Sequence, residues 1–139
     1  MNGRVFVDTN VLIYAHDNEA GLKQERASQI LGELWQAKKG VMSTQVLQEF
    51  YVNVTRKIPT PLKRATARDI IRQYSAWPIV EPDVDMIVLA SEMEERHTLS
   101  FWDALIIAAA CRIGAEKIIT EDLNHGQNID GMTIENPFA

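Results

Sequence analysis

The feature that most constrains this chain is the position of two carboxylates at the ends of short apolar runs. Asp8 directly follows Arg4–Val7, and Asp122 comes just after Lys117–Thr120. Both runs are β-branched or apolar and end at polar residues, which predicts two buried strands. Because sites in parallel sheets gather outside the carboxyl ends of the strands, these two acids are expected to lie at one edge of a sheet.

Two further acids interrupt or open apolar helical segments. Glu49 lies within the amphipathic run Val46–Tyr51, and Asp103 begins the apolar run Asp103–Ala110. A carboxylate beside a buried segment is costly unless something pairs with it. No buried lysine or arginine is evident to pair with these four acids. The pattern therefore suggests a hard divalent cation such as Mg²⁺, which takes oxygen ligands.

Short predicted strands alternate with predicted helices, which is typical of a parallel sheet covered by helices on both faces. The chain has 139 residues and is expected to form one domain over residues 1–139. The predicted strands are Arg4–Val7, Val41–Ser43, Trp77–Val80, Lys117–Thr120 and Met132–Glu135, the last at an edge of the sheet. The predicted helices are Thr9–His16, Leu22–Lys38, Thr44–Lys57, Leu62–Ala76, Asp83–His97 and Ser100–Ile113.

The charge is negative overall and uneven along the chain. The formal net charge of −5 disfavours sequence-blind binding of nucleic acid over the whole surface. Basic residues nevertheless cluster between Arg56 and Arg72, and Arg64, Arg68 and Arg72 lie one helical turn apart. This face is interpreted as a contact for RNA phosphates, a contact for an acidic partner segment, or simply a solvated face.

Other features place the chain among cytoplasmic globular proteins. The single cysteine, Cys111, cannot form an internal disulfide, and a reducing compartment fits this. The N-terminus does not resemble a secretory signal, and no apolar stretch is long enough to span a bilayer. Trp35, Trp77 and Trp102 are interpreted as packing anchors, since the sequence contains no aromatic ladder for stacking bases.

Each acid also has an ordinary structural interpretation. Asp8 is a favoured helix cap, and Ser100 with Asp103 resembles a capping box. Glu49 is compatible with a partly solvated helix position, and Asp122 with a turn cap. Glu121 is expected to face outward, although the sequence leaves open an exchange of roles with Asp122. The metal interpretation differs from these alternatives because it requires the acids to converge, despite the repulsion between like charges.

Taken in order, these segments resemble the PIN-domain ribonucleases, and among them the VapC-like toxins of toxin–antitoxin pairs. The resemblance rests on Asp8-Thr9-Asn10 after the first strand, on the helix of Glu49, on the segment Ser100–Ala104 and on Ile119–Leu123. It extends from Val5 to Phe138. It implies a three-layer α/β/α sandwich with a short parallel sheet.

The resemblance also implies a site. It predicts an acidic pocket for Mg²⁺ or Mn²⁺ with polar support from neighbouring side chains. The acids are Asp8, Glu49, Asp103 and Asp122, and the supporting residues are Thr9, Asn10 and Thr120. Asp8 and Asp103 are the expected direct ligands. Some family members carry another acid where this chain has Asn124, so a second metal is expected to be weakly held or to require substrate.

By the same resemblance, the expected activity is metal-dependent hydrolysis of RNA phosphodiester bonds by the toxin of a toxin–antitoxin pair. The expected partners are an RNA substrate, a cognate antitoxin and a second copy of the chain, with no membrane. An alternative is a catalytically weak or inactive PIN-like module that binds RNA or protein. A small phosphatase is disfavoured, since Asp8-Thr9-Asn10 lacks the second aspartate and the lysine that an aspartyl-phosphate mechanism would want.

Overall fold

A computed structural model describes residues 2–139, which fold around one six-stranded sheet. The strand order is β3-β2-β1-β4-β6-β5, and every neighbouring pair is parallel except β5 with β6. The strands are β1 (Val5–Val7), β2 (Gly40–Ser43), β3 (Ile79–Val80), β4 (Lys117–Ile119), β5 (Asn128–Ile129) and β6 (Met132–Glu135).

Six helices flank the sheet and complete the predicted three-layer α/β/α architecture. They are α1 (Thr9–Ala15), α2 (Leu22–Ala37), α3 (Thr44–Arg56), α4 (Arg64–Tyr74), α5 (Val84–His97) and α6 (Phe101–Arg112). Polar side chains cap four of them, which fixes where each helix begins. Asp8, Ser43, Asp83 and Ser100 each accept a hydrogen bond from a backbone amide at the start of the helix that follows. Among the described helices, none has the length and apolar character needed to cross a membrane.

The register of the central strands brings distant acids to one edge of the sheet. Val7 of β1 pairs with Ile119 of β4, so the residues that follow both strands leave the sheet side by side. The Asp8 amide continues the ladder by donating to the Ile119 carbonyl at 3.1 Å. α6, whose residues 104–110 are all buried, packs mainly against α5 and also contacts β2. These contacts fix the first turn of α6.

The C-terminal part of the sheet differs from the prediction. β6 was expected at an edge, but it lies between β4 and the short antiparallel strand β5. Ile129 pairs with Met132, so the connection is the two-residue turn Asp130-Gly131, and both residues have positive φ. An Asp-Gly pair is a strong signal for this type of hairpin turn. The preceding strand is only two residues long, which leaves little hydrophobic alternation to detect in the sequence.

Gly40 is expected to be required for the packing of β2. A Cβ atom at this position would collide with the ring of Trp77, which is buried and held by Trp35 and Tyr74 at ring centroid distances of 5.2 and 5.1 Å. We predict that G40A lowers the free energy of unfolding by about 1–3 kcal/mol in urea titrations, since overpacking a fixed aromatic cluster is destabilising.

The matched control is G32A within α2, where a Cβ atom would meet nothing within 4 Å. That substitution is expected to be neutral or to stabilise by up to about 1 kcal/mol, because alanine favours the helix over glycine. If G40A were as stable as the wild type while G32A behaved as expected, the packing account of Gly40 would be wrong.

Candidate active site

The four predicted acids line one cavity at the carboxyl edge of the central strands. The cavity has a volume of about 200 Å³. Its lining consists of Asp8, Thr9, Asn10, Ile13, Gln45, Glu49, Asn53, Trp102, Asp103, Ile106 and Asp122. Among the described residues, no lysine or arginine contributes to this wall. The described lining therefore combines negative charge with oxygen atoms that can bind a cation, and it contains no basic side chain.

Asp8 is the most buried of the four acids, with 5% of its surface exposed. Burial raises the pKa of its carboxyl group from 3.8 to about 6, against the opposing effect of hydrogen bonds from the Thr120 hydroxyl and the Thr9 amide. The negative charges of Asp122 and Glu49 add to the rise in pKa. The ionised form of Asp8 is thus held in an environment that disfavours it unless a positive charge is supplied.

The Thr120 hydroxyl is the centre of the hydrogen-bond network behind the cavity. It donates to Asp8 Oδ2 at 2.7 Å and accepts from Asn10 Nδ2 at 3.2 Å and from the Asp122 amide at 3.1 Å. Thr120 is fully buried at the end of β4. One hydroxyl group therefore connects Asp8 after β1 with Asp122 after β4.

The neighbouring acids Asp122 and Glu121 point to different surroundings. Asn10 Nδ2 donates to Asp122 Oδ2 at 3.0 Å, and Asp122 lines the cavity. Glu121 instead accepts hydrogen bonds from Lys23 and Tyr14, each at 2.5 Å, and does not line the cavity. Burial pushes the pKa of Glu121 upward, but the hydrogen bonds from Lys23 and Tyr14 outweigh it and hold the pKa below its usual value.

Glu49 reaches the cavity from α3 and is oriented by Thr9. The Thr9 hydroxyl donates to Glu49 Oε1 at 2.7 Å, so a residue of the first helical turn after Asp8 fixes an acid of another helix. Glu49 is only half-buried, which leaves part of its carboxylate free to meet solvent or ligand.

Asp103 reaches the cavity from the first turn of α6. Its amide donates to Ser100 Oγ at 3.1 Å, which is the helix-capping hydrogen bond. Asp103 also lines the cavity, so capping and a position in the site occur together. The capping bond uses the backbone of Asp103 and leaves the carboxylate available. Gln45 Nε2 donates to the Trp102 carbonyl at 3.2 Å and thereby ties the start of α6 to α3.

Five cavity residues were not identified from the sequence, namely the apolar Ile13 and Ile106 together with Gln45, Asn53 and Trp102. Gln45 lies one turn before Glu49 on α3, and Asn53 lies one turn after it. That spacing puts all three on one face of the helix and is a signal that the sequence contained. Trp102 also lines the cavity and is 63% exposed, so the prediction that it is a packing anchor is wrong. Trp35 and Trp77 do pack together, in a cluster with Tyr74.

The donor set fits a hard divalent cation in its chemistry. Carboxylate oxygens with amide and hydroxyl neighbours are the groups that Mg²⁺ and Mn²⁺ accept. Within residues 2–139, however, no three acidic, histidine or cysteine side chains stand close enough together to hold one ion. A cation here would therefore contact few protein oxygens and complete its coordination shell with water, as Mg²⁺ usually does in proteins.

The basic helix lies away from the cavity. Arg64, Arg68 and Arg72 are all exposed on α4, and none of them contributes to the cavity wall. Arg72 forms an ion pair with Asp69 at 3.2 Å, in which both side chains are largely exposed. Such a pair contributes little to stability.

Comparison with known proteins identifies the family. The PIN-domain family model matches residues 5–128, which is most of the chain, and the chain therefore belongs to the PIN-domain family. No curated protein sequence shows a significant match.

Several solved structures share the fold. VapC20 of Mycobacterium tuberculosis, described as a sarcin-ricin loop cleaving toxin, is 24% identical with a TM-score of 0.65, over 82% of this chain and 86% of that one. A toxin–antitoxin complex from Klebsiella pneumoniae is 20% identical with a TM-score of 0.70, over 96% and 97%. VapBC2 from Rickettsia felis, bound to a promoter DNA fragment, is 20% identical with a TM-score of 0.63, over 95% and 97%. At these identities the likeness establishes the fold.

Proposed function

We propose that this protein is a metal-dependent endoribonuclease that hydrolyses RNA phosphodiester bonds and acts as the toxin of a toxin–antitoxin pair. The observation that carries the proposal is the convergence of Asp8, Glu49, Asp103 and Asp122 on one cavity, to whose wall no lysine or arginine of residues 2–139 contributes. Membership of the PIN-domain family gives this convergence its chemical interpretation.

In this proposal the cavity acids hold Mg²⁺ or Mn²⁺. Asp8 and Asp103 would be direct ligands, and Asp122 would bind directly or through water. Glu49 would hold a metal-bound water or help to orient the attacking one. When bound, such a cation lowers the pKa of a water molecule and offsets negative charge that develops on the phosphate.

The remaining side chains position the acids. The Thr120 hydroxyl donates a hydrogen bond to Asp8 and accepts one from the backbone amide of Asp122, so one side chain positions both residues. Thr9 holds Glu49, and Asn10 holds Asp122. Because these supports are short side chains on α1 and directly after β4, the acids need little rearrangement when an anionic substrate and its cation arrive. Such preorganisation is what a site for charged transition states requires.

The toxin role and its partners are supported by the solved relatives. The Klebsiella structure is a toxin–antitoxin complex, and the Rickettsia structure is described as VapBC2 with promoter DNA. We extend this to a cognate antitoxin and a homodimer for the present chain, acting on RNA in the cytoplasm. An apolar groove on α3 and α4 offers a surface for a second copy, and it is lined by Thr44, Leu47, Gln48, Tyr51, Val52 and Ile71. The same α4 exposes Arg64, Arg68 and Arg72, which would contact RNA phosphates or an acidic partner segment.

The test is cleavage of separate ribosomal, transfer and messenger RNA pools by the purified protein with Mg²⁺ or Mn²⁺. We expect cleavage that a chelator abolishes and that D122N reduces by about 10-fold or more. The matched control is E121Q, which alters the neighbouring acid outside the cavity and is expected to retain most activity. Cleavage that persists in chelator would contradict the metal-dependent mechanism.

The alternative function is a PIN-like module that binds RNA or protein without cutting. The lack of three closely spaced metal-binding side chains among the described residues is the observation that favours it. If the protein bound RNA, cut none of the three pools and failed to bind Mn²⁺ at millimolar concentration, this alternative would replace the proposed nuclease.

A further inference from the structure

Trp102 is unusual among the aromatic residues of this protein because it is exposed beside the candidate active site. Its surface is 63% exposed, whereas Trp77 is 7% exposed and Trp35 is 37% exposed within an aromatic cluster. A tryptophan that buries so little of its ring contributes little to the stability of the fold. Its placement in the cavity lining, next to Asp103 in the chain, puts an exposed aromatic residue beside the candidate active site.

Two contacts restrict the position of Trp102 although its surface is exposed. Phe101 packs against it edge to face, with ring centroids 5.2 Å apart and an interplanar angle of 80°. The Trp102 carbonyl accepts a hydrogen bond from Gln45 Nε2 at 3.2 Å, and Gln45 itself is 7% exposed. The backbone of Trp102 is thus tied to α3, and its ring packs against the preceding residue of α6. A rigid aromatic surface of this kind loses little conformational entropy when it binds a flat ligand.

Resting on the proposed function, we infer that Trp102 is a stacking platform for an unpaired base of the RNA, next to the phosphate that lies in the acidic cavity. The acids repel the phosphate backbone wherever a cation does not intervene. An uncharged contact near the cut adds affinity without this repulsion, and base–aromatic stacking supplies such a contact without depending on the sequence of the RNA.

The experiment measures binding of a random-sequence, 12-nucleotide single-stranded RNA pool by fluorescence anisotropy. It is done in the D8N background, where the RNA is not cut. We expect D8N/W102A to bind this pool about 5- to 100-fold more weakly than D8N, and D8N/W102F to retain most of the affinity. An abasic ribose-phosphate oligomer of the same length should bind D8N and D8N/W102A equally. This last comparison separates stacking from a general disturbance of the cavity.

The matched control is D8N/L22A, which removes another exposed apolar side chain that lies outside the cavity and is 81% exposed, and it should bind the pool as D8N does. Equal RNA affinity of D8N and D8N/W102A would overturn the stacking role while leaving the nuclease proposal intact. Weaker self-association of W102A with unchanged RNA affinity would likewise overturn it and assign the ring to a protein contact. Absence of any RNA binding by D8N would instead contradict the proposed function itself.

Discussion

D8N is expected to abolish RNA cleavage and, at the same time, to raise the melting temperature of the metal-free protein. Asp8 is buried, and the increase of its pKa from 3.8 to about 6 corresponds to roughly 3 kcal/mol against the ionised form in the folded state. An uncharged amide removes this cost, which already includes the repulsion from Asp122 and Glu49. It also loses a good hydrogen bond with Thr120, whose oxygen already accepts two, at a cost of about 1 kcal/mol. The net gain is expected to be about 1–2 kcal/mol.

The stability that D8N gains over the wild type should increase with pH. The folded-state pKa of Asp8 lies above its unfolded value, so protonation of Asp8 favours the folded protein. The stability that protonation provides is fully present below about pH 4 and is lost as the pH rises through about 6. The advantage of D8N over the wild type should therefore be largest above pH 6 and shrink as the pH falls toward 4.

Thermal melts at several pH values in the presence of a chelator measure this advantage. The control is E92Q, which neutralises an exposed acid of α5 and should leave stability nearly unchanged. If D8N were less stable than the wild type at pH 7, Asp8 would be a structural cap and the electrostatic account of the cavity would be wrong. If D8N cleaved RNA at the wild-type rate, the proposed catalytic role of Asp8 would be excluded.

T120V is expected to lower RNA cleavage by about 10- to 100-fold and stability by about 1–3 kcal/mol. Valine keeps the shape of threonine but removes the hydroxyl that donates to Asp8 and accepts from Asn10 and the Asp122 amide. The two donors are then left without this acceptor at the base of the cavity, and Asp8 and Asp122 lose their common support. Cleavage kinetics and urea titrations measure the two effects.

Two substitutions make this prediction specific. T120S keeps the hydroxyl and should retain most of the cleavage activity. T133V removes a hydroxyl from an exposed threonine of β6 and should change neither property appreciably. Wild-type cleavage by T120V would mean that the hydrogen-bond network of Thr120 does not position the acids for catalysis.

The convergence of the acids was predictable because strand register follows from the pattern of buried runs. Asp8 and Asp122 come directly after apolar strands, and parallel pairing of those strands brings their ends together. The sequence could not choose between Asp122 and Glu121, since that choice depends on a contact with Lys23, a residue 98 positions away from Glu121 in the chain. The structure resolves the geometry, and the catalytic roles of the acids stay predictions.

What the sequence did not reveal depends on long-range packing. Trp102 lies in the first turn of the apolar helix α6, where the sequence favours burial of an aromatic residue, yet it is exposed and lines the cavity. Gln45 lies one helical turn from Glu49, but the same spacing is common among solvated residues, and its burial and its contact with Trp102 are visible only in the structure. The strand β5 is too short for its two residues to show a periodic pattern.

The most direct test of the central claim is the binding of Mn²⁺ to the purified protein, because it does not require the correct RNA. Electron paramagnetic resonance of free Mn²⁺ during titration measures the binding. We predict that the wild type and E121Q bind Mn²⁺, that Mg²⁺ competes for the same site, and that D8N and D103N weaken binding by about 10-fold or more. No binding at millimolar Mn²⁺, or equal binding by the wild type and D8N, would contradict the assignment of the acidic cavity as a metal site.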